Sequence, residues 1–147
     1  MTERTCVIIK PDGLGKKNVG KIIDRLESEG FKLLAIKMIK AQKNKIEKFY
    51  GIHRNKDYFQ PLVEFICCMP IIVTVWEGEN VVKNTRKIIG STDSKKAEPG
   101  TLRNLYGTNE RRNLVHASDS LENAQKEIYH FFKKEEILEY NENDWKS

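Results

Sequence analysis

The side chain with the clearest potential for chemistry is His116. It follows the apolar pair Leu114-Val115 and precedes the polar turn Ser118-Asp119-Ser120, so it ends a predicted short strand and can face a cleft. A neutral imidazole has one nitrogen that can attack phosphorus, and a carboxylate can orient the ring through the other nitrogen. Glu127, on the following predicted helix, can supply that carboxylate. These residues alone leave two interpretations open, a nucleophile and a structural histidine.

Three cationic side chains are candidates for binding phosphate. Lys10 ends an apolar run and is followed by Pro11, which stiffens the turn, while Arg86 lies in a predicted helix and Arg103 in a long loop. A lysine is a compact point charge, and the planar guanidinium of an arginine can bind two oxygens at once. Each of these residues, taken alone, is more typical of a solvated surface charge than of a phosphate-binding group.

A near-match to a phosphate-binding loop lies at residues 15–22. The pattern Gly-x4-Gly-Lys-[Ser/Thr] fails at its last position, because Ile22 has no hydroxyl to hold magnesium. Val19, Ile22 and Ile23 are also needed for the apolar stripe of the helix predicted there. We therefore interpret the segment as a basic turn and the first turn of a helix, and Lys21 as a surface residue.

Four aromatic residues are grouped in a predicted helical pair: Phe49, Tyr50, Tyr58 and Phe59. One of these rings can stack on a nucleobase, which contributes about 1–3 kcal/mol regardless of the base. Most of the four must pack in the core. The sequence lacks the clustered Cys and His ligands of a zinc site.

The remaining cysteines and histidines have no setting that indicates chemistry. Cys6 and the Cys67-Cys68 pair lie in apolar stretches, and three cysteines with one adjacent pair make a poor disulfide framework. They are interpreted as reduced core residues. His53 and His130 are interpreted as structural or surface residues.

Length and composition favour one compact domain over residues 1–147. A chain of 147 residues with 39% hydrophobic residues can bury a core without disulfides or metals. No stretch approaches the roughly 18 apolar residues of a membrane span, and the start of the chain has no signal-peptide pattern, so we expect a cytoplasmic protein without a membrane partner. The net charge of +5 suits an anionic partner but does not choose among nucleotide, nucleic acid and acidic protein.

Hydrophobic periodicity predicts the elements that position these side chains. The predicted strands span residues 5–9, 31–38, 71–76 and 113–116, and the predicted helices span residues 18–29, 46–53, 61–68, 80–89 and 121–131. Residues 90–112 have no period and are predicted to form a long functional loop. This order indicates an α+β protein with a ferredoxin-like sandwich, in which helices pack on one face of a four-stranded antiparallel sheet.

Several short motifs also follow one another in a distinctive order. They are Glu3-Arg4-Thr5, Ile9-Lys10-Pro11-Asp12-Gly13, Gly20-Lys21-Ile22-Ile23, Glu29-Gly30-Phe31, Phe49-Tyr50, Trp76-Glu77-Gly78-Glu79, Gly90-Ser91-Thr92-Asp93, Pro99-Gly100-Thr101-Leu102-Arg103 and Asn113-Leu114-Val115-His116-Ala117-Ser118-Asp119-Ser120. The last block is the most specific. Together they resemble the nucleoside diphosphate kinase family over residues 3 to about 140.

The resemblance implies a catalytic role for five residues. His116 would carry the phosphoryl group, Glu127 would orient its ring, and Ser118 would support that pair. Lys10 and Tyr50 would contact the transferred phosphate. The implied reaction moves the γ-phosphate of a nucleoside triphosphate, typically ATP, to a nucleoside diphosphate by a ping-pong route with broad base specificity.

The resemblance also implies the substrate contacts and the assembly. Lys10 would reach the ribose, Asn113 would bind the ribose 3′-hydroxyl, and Mg²⁺ would be carried by the nucleotide phosphates rather than by protein ligands. The remaining contacts would be Tyr58 and Leu62 around the base, and Arg86, Thr92 and Arg103 on the non-transferred phosphates. Members of the family form homo-oligomers, and a hexamer is expected here rather than a tetramer.

Some positions depart from the usual pattern of the family. Tyr58 stands where Phe is common, Ser94 where Pro is common, and Asn104-Leu105-Tyr106 where Gly-Asp-Phe is usual. The charged run Glu110-Arg111-Arg112 has no obvious role. None of these changes removes a catalytic group.

Three other functions are compatible with parts of the sequence. A nucleic-acid-binding module would suit the basic charge, but the signature of RNA-recognition sheets is absent and nucleic acid is not expected as the main partner. A P-loop ATPase would use Lys21 rather than His116. A regulatory relative without activity is disfavoured by the intact Lys10, His116 and Glu127.

Overall fold

A four-stranded antiparallel sheet forms the centre of the protein in a computed structural model that describes residues 2–146. The strands are β1 (Thr2–Ile9), β2 (Lys32–Ile39), β3 (Ile71–Glu79) and β4 (Val115–Ala117), in the spatial order β2-β3-β1-β4. β1 pairs with β3 along its whole length, from Thr2 opposite Glu79 to Ile9 opposite Ile72. The short β4 pairs with the end of β1, which places His116 opposite Ile8.

Within residues 2–146, seven α-helices connect and cover the strands. They are α1 (Pro11–Gly15), α2 (Val19–Ser28), α3 (Lys43–Phe49), α4 (Phe59–Cys67), α5 (Val81–Ile89), α6 (Leu102–Tyr106) and α7 (Leu121–Phe131). Short 3₁₀ turns lie at Gly51–His53, Ser94–Lys96, Lys134–Glu136 and Asp144–Lys146. Two helices have clear N-caps, since Thr101 accepts from the backbone of Asn104 and Ser120 from that of Asn123.

Helices cover both faces of the sheet, so the prediction of helices on one face was wrong. One buried cluster joins Cys6, Ile8, Val73 and Val75 of the central strands to α3, α4 and α7. A second cluster joins Val7, Ile9, Ile72 and Trp76 to α2, α5 and α6. The nearly continuous apolar character of β1 and β3 is the reason, because successive side chains of a strand point to opposite faces and here both faces are buried.

Two short helices were not predicted. α1 follows β1 directly and begins at Pro11, and α6 lies inside residues 90–112, which were predicted to form a loop throughout. Both helices have only five residues, too few to show a helical period. The α+β class and the four predicted strands are confirmed.

Other expectations from the sequence have mixed outcomes. The three cysteines are free, as expected, but only Cys6 is buried, whereas Cys67 is partly buried and Cys68 is exposed, so the interpretation of Cys68 as a core residue was wrong. Pro61 lies in the first turn of α4, as its missing backbone donor requires. Among the described residues, no helix has the length and apolar character needed to cross a membrane.

Candidate active site

A cleft of about 960 Å³ opens beside the ends of β1 and β4. The α3–α4 hairpin and residues 109–113 form its other walls. All the predicted site residues except Ser118 line it: Lys10, Tyr50, Tyr58, Leu62, Arg86, Thr92, Arg103, Asn113, His116 and Glu127. Ser118 lies just behind the cleft, fully buried and bonded to Glu127.

The imidazole of His116 is held in one orientation by a carboxylate. Nε2 of His116 lies 2.7 Å from Oε1 of Glu127. Ser118 donates its hydroxyl to the same oxygen at 2.7 Å and lies near the backbone of Cys6, which ties the carboxylate to β1. Because a carboxylate accepts, Nε2 carries the hydrogen. Nδ1 of His116 then has a free lone pair, and it has no hydrogen-bond partner among residues 2–146.

Two aromatic rings pack edge-on against the imidazole. The ring centroid of Phe49 lies 5.2 Å from that of His116 at 75°, and that of Tyr50 lies 6.1 Å away at 87°. Burial, together with the negative charge of Glu127, raises the pKa of Tyr50. Tyr50 is therefore a neutral hydroxyl at physiological pH, able to donate a hydrogen bond into the cleft.

A strained turn immediately precedes the strand of His116. Leu114 has a φ of +81°, and the N–H of Val115 donates to the carbonyl of Asn113 at 2.9 Å, which closes a γ-turn around Leu114. The backbone of Leu114 is held on both sides, because its N–H donates to Asp12 at 2.9 Å and its carbonyl accepts from Lys10 at 3.0 Å. Such strain persists only where surrounding contacts determine the conformation, and it is common at functional sites.

Lys10 is buried at the deep end of the cleft. Its Nζ donates to Oδ1 of Asn113 at 2.7 Å, and the amide of Asn113 donates in turn to the carbonyls of Thr92 and Glu110 at 2.9 and 3.0 Å. Burial lowers the pKa of Lys10 to about 7, and the nearby charge of Arg103 acts in the same direction. No nearby negative charge fully offsets the burial of the Lys10 ammonium. A bound anion such as phosphate would therefore stabilise its charged form.

Arg103 is the most extensively bonded cation of the site. It donates to the carbonyls of Asn113 at 3.1 Å, Gly90 at 2.9 Å and Val115 at 2.7 Å. Burial, and then the charge of Arg86, lowers the pKa of Arg103 to about 10, so it stays charged at neutral pH. Arg86 donates to the carbonyl of Ala117 at 3.2 Å. Two guanidinium groups thus flank the strand that carries His116, in an arrangement that favours phosphate.

The outer end of the cleft is more exposed and is formed by the α3–α4 hairpin. Tyr58 is 42% exposed, and its hydroxyl shares a 2.6 Å hydrogen bond with Nδ1 of His53. Leu62 lies one turn further along α4 and is half-buried. His53 and His130, which were expected to be structural or surface residues, both line this cleft. Nothing in their local sequence indicated this, because the α3–α4 hairpin brings His53 there and the packing of α7 brings His130.

The near-match to a phosphate-binding loop does not form such a loop. Gly20 and Lys21 lie inside α2, and the buried side chain of Ile22 packs in the core. The ammonium of Lys21 lies 4.9 Å above the ring of Tyr106, and Lys21 does not line the cleft. The interpretation as a basic turn and first helical turn is confirmed.

Comparison with known proteins identifies the family of the chain. The family model for nucleoside diphosphate kinase matches residues 3–137. The enzyme of that name from Nostoc punctiforme is 48% identical over 138 residues, covering 94% of this chain and 93% of the relative. The one from Nitratiruptor is 48% identical over 136 residues, covering 92% of this chain and 99% of the relative. The chain belongs to the nucleoside diphosphate kinase family.

Solved structures of the family have the same fold. Nucleoside diphosphate kinase of Aquifex aeolicus superposes with a TM-score of 0.91 at 44% identity, over 94% of this chain and all of that one. The halophilic enzyme of Halobacterium salinarum, solved in complex with CDP, superposes with a TM-score of 0.94 at 34% identity, over 99% and 97% of the two chains. The predicted ferredoxin-like α+β fold is thus confirmed, and the chain is an enzyme of the nucleoside diphosphate kinase type.

Sequence reasoning missed three residues that shape the site. Asp12 was quoted only as part of a motif, yet it holds the strained backbone of Leu114. Phe49 was one of four aromatic residues of which most were expected to pack in the core, and it contacts His116 edge-on. Asp119 lines the cleft, and its pKa is lowered by the hydrogen bond from Asn123 and the charge of Arg86. All three lie inside motifs that carry the family resemblance, and that membership was the sequence signal that could have found them.

Proposed function

We propose that this enzyme transfers the γ-phosphate of a nucleoside triphosphate to a nucleoside diphosphate through a phosphorylated His116, by a ping-pong route. The observation that carries the proposal is the 2.7 Å contact of Nε2 with Glu127, which leaves Nδ1 of His116 unbonded in a cation-lined cleft. A positioned nucleophile and surrounding positive charge are the main requirements of phosphoryl transfer.

In the first half-reaction, the lone pair of Nδ1 forms a bond to the γ-phosphorus. The bond from that phosphorus to the bridging oxygen breaks, and the nucleoside diphosphate leaves with that electron pair. The imidazole becomes positively charged, and Glu127, hydrogen-bonded to Nε2–H, stabilises that charge. The second half-reaction is the reverse, with the terminal oxygen of another nucleoside diphosphate attacking the phosphohistidine. One site serves both halves, so the two nucleotides bind in turn.

Each remaining residue has a proposed contact with the nucleotide. Lys10 and the hydroxyl of Tyr50 contact the transferred phosphate, while Arg86, Thr92 and Arg103 bind the other phosphates. Asn113, already bonded to Lys10, binds the ribose 3′-hydroxyl, which Lys10 also reaches. Tyr58 and Leu62 enclose the base. Because stacking contributes on any base, we propose broad use of purine and pyrimidine nucleotides.

Among residues 2–146 no group of three or more His, Cys, Asp or Glu side chains could hold a metal ion, so we propose that magnesium enters the cleft with the nucleotide. We propose that the phosphates carry most of its ligands, as is usual for this hard ion, and that the carboxylate of Asp119 is the protein group available to it. The low pKa of Asp119 keeps that carboxylate ionised. When bound, the ion neutralises charge that develops on the phosphate oxygens.

We further propose that the enzyme is cytoplasmic and assembles as a homo-oligomer, with a hexamer favoured over a tetramer. Support for assembly comes from the edge strand β2, where Ile36 is 48% and Met38 62% exposed. Exposed apolar side chains on an edge strand are common at subunit interfaces. Light scattering after size exclusion would give the subunit number, and a monomer at micromolar concentration would contradict the assembly.

The test is to incubate the protein with magnesium and ATP labelled on its γ-phosphate, without an acceptor. We expect an acid-labile, alkali-stable phosphoprotein that loses its label to UDP as UTP. His116→Ala should take no label, whereas His130→Ala, a control that removes another histidine of the same cleft, should be labelled. A folded, nucleotide-binding wild type that takes no label would contradict the proposal.

A further inference from the structure

The charged run Glu110-Arg111-Arg112 forms the tip of a short, tied loop. The N–H groups of Thr108 and Asn109 donate to the carbonyl of Arg112 at 2.7 and 3.3 Å, which closes the loop at its base. The side chain of Asn109 accepts from the N–H groups of Arg111 and Arg112 at 3.1 and 2.8 Å. The tip is therefore built in one conformation by its own hydrogen bonds.

Two further contacts fix this loop against the rest of the cleft. The hydroxyl of Ser94, at a position where Pro is common in the family, donates to the carbonyl of Asn109 at 3.1 Å. On the other side, the guanidinium of Arg112 lies 5.7 Å above the ring of Phe65. Phe65 lies one helical turn after Leu62 on α4, so Arg112 links the loop to the helix that encloses the base.

Glu110 is held at the tip of this loop, beside the residue proposed to bind the ribose, and it lines the same cleft as the residues proposed to enclose the base. Its carbonyl accepts from the amide of Asn113 at 3.0 Å, and the residue lines the cleft together with Tyr58 and Leu62. Its carboxylate makes no hydrogen bond or ion pair with any of residues 2–146. An unpaired negative charge in a cleft for phosphates is unfavourable unless it faces the uncharged part of the ligand.

We propose that Glu110 is a specificity residue that contacts the edge of the nucleobase and ranks the acceptors. The inference rests on the proposed function of the same cleft and deepens it. A carboxylate only accepts hydrogen bonds, so it favours bases whose edge presents amino groups. Cytosine, adenine and guanine present such groups, whereas uracil presents one N–H between two carbonyl oxygens that repel a carboxylate. Broad use of nucleotides is retained, with uridine nucleotides ranked last.

CDP and UDP are the sharpest pair of acceptors because they differ only at position 4 of the pyrimidine and the adjoining proton. The kcat/KM of each would be measured with one saturating donor, for the wild type, Glu110→Gln and Glu110→Ala. We expect the wild type to favour CDP over UDP about threefold to tenfold, in line with an exposed charged hydrogen bond. Glu110→Ala should bring the ratio close to one, and Glu110→Gln should give an intermediate ratio, because an amide both donates and accepts.

Glu135→Gln is the matched control, since it removes an exposed carboxylate outside the cleft and should keep the wild-type ratio. The stoichiometry of phosphohistidine formed at saturating ATP separates the two hypotheses, because failure of the proposed function would abolish the label. A labelled enzyme with a CDP-to-UDP ratio near one would overturn the role of Glu110 alone. So would an equal loss with both acceptors in Glu110→Ala, since that result would indicate a phosphate, magnesium or structural role.

Discussion

At the deep end of the cleft, Arg103 donates to three backbone carbonyls and the side chain of Lys10 donates to Asn113. At the outer end, the side chain of Tyr58 has one hydrogen-bond partner among residues 2–146, which is His53. Arg103 is 8% exposed and Tyr58 is 42% exposed. The deep end is thus fixed by buried backbone groups, and the outer end by a few surface contacts. The difference matches the two tasks, because phosphoryl transfer needs accurate positions and base binding must tolerate several shapes.

The largest expected effect comes from removing the most bonded cation of the deep end. Arg103→Leu leaves the carbonyls of Gly90, Asn113 and Val115 without their donor and should cost about 3–5 kcal/mol of stability. Urea unfolding would measure it. Arg111→Leu, at the outer end, removes a side chain that makes no hydrogen bond or ion pair with the described residues 2–146, and the stability of this variant should stay within about 0.5 kcal/mol of the wild type. Equal losses in the two variants would contradict the contrast between the ends.

The next effect concerns the carboxylate that orients His116. In Glu127→Gln, the side-chain amide can donate a hydrogen bond to Nε2 of His116. The hydrogen of the imidazole would then lie on Nδ1, where it would block the attack of Nδ1 on phosphorus. We expect kcat to fall about 10²-fold or more with a small change in KM, as for other carboxylate–histidine pairs. Steady-state kinetics would measure both. Glu122→Gln, on the exposed side of the same helix, should have wild-type kinetics.

Lys10 should make nucleotide binding depend on pH. In the free enzyme Lys10 loses its proton above about pH 7, and a bound phosphate favours the protonated form, so binding takes up a proton above that pH. The Kd of ADP should then be level below pH 7 and rise by up to about tenfold per unit above it. Calorimetry between pH 7.5 and about 9.5 would measure this rise in the Kd of ADP. Lys10→Met should bind weakly with a flat profile, and a level wild-type profile would refute the mechanism.

The smallest effects are expected at the outer end. Tyr58→Ala removes a stacking surface and should raise KM by about tenfold for every nucleotide, with kcat nearly unchanged. Tyr58→Phe loses only the hydrogen bond to His53 and should stay within about twofold. A large fall in kcat for Tyr58→Ala would mean that the outer end also positions the reacting groups.

The sequence predicted the elements that have a clear hydrophobic period, such as α2 and β3, and it missed those that do not. α1 and α6 each have five residues, so their helical form depends on neighbouring contacts rather than on a pattern. The covered second face of the sheet could be inferred only by treating the apolar runs of β1 and β3 as buried on both sides.

The candidate site was predicted largely through the family resemblance, because its residues lie far apart in the sequence. Lys10 and Asn113, for example, meet only because β1 pairs with β4. The supporting contacts of Asp12, Phe49 and His53 were missed because they depend on tertiary geometry. No local pattern predicts that Asp12 will accept a hydrogen bond from Leu114, in the γ-turn that precedes β4 in a distant part of the chain.

The position of the phosphoryl group on the ring of His116 tests the account most directly. After incubation with ATP and magnesium, correlation of phosphorus with the imidazole protons by NMR would identify the phosphorylated nitrogen. The hydrogen bond from Nε2 to Glu127 predicts phosphorus on Nδ1. Phosphorus on Nε2, or on a residue other than His116, would contradict the account.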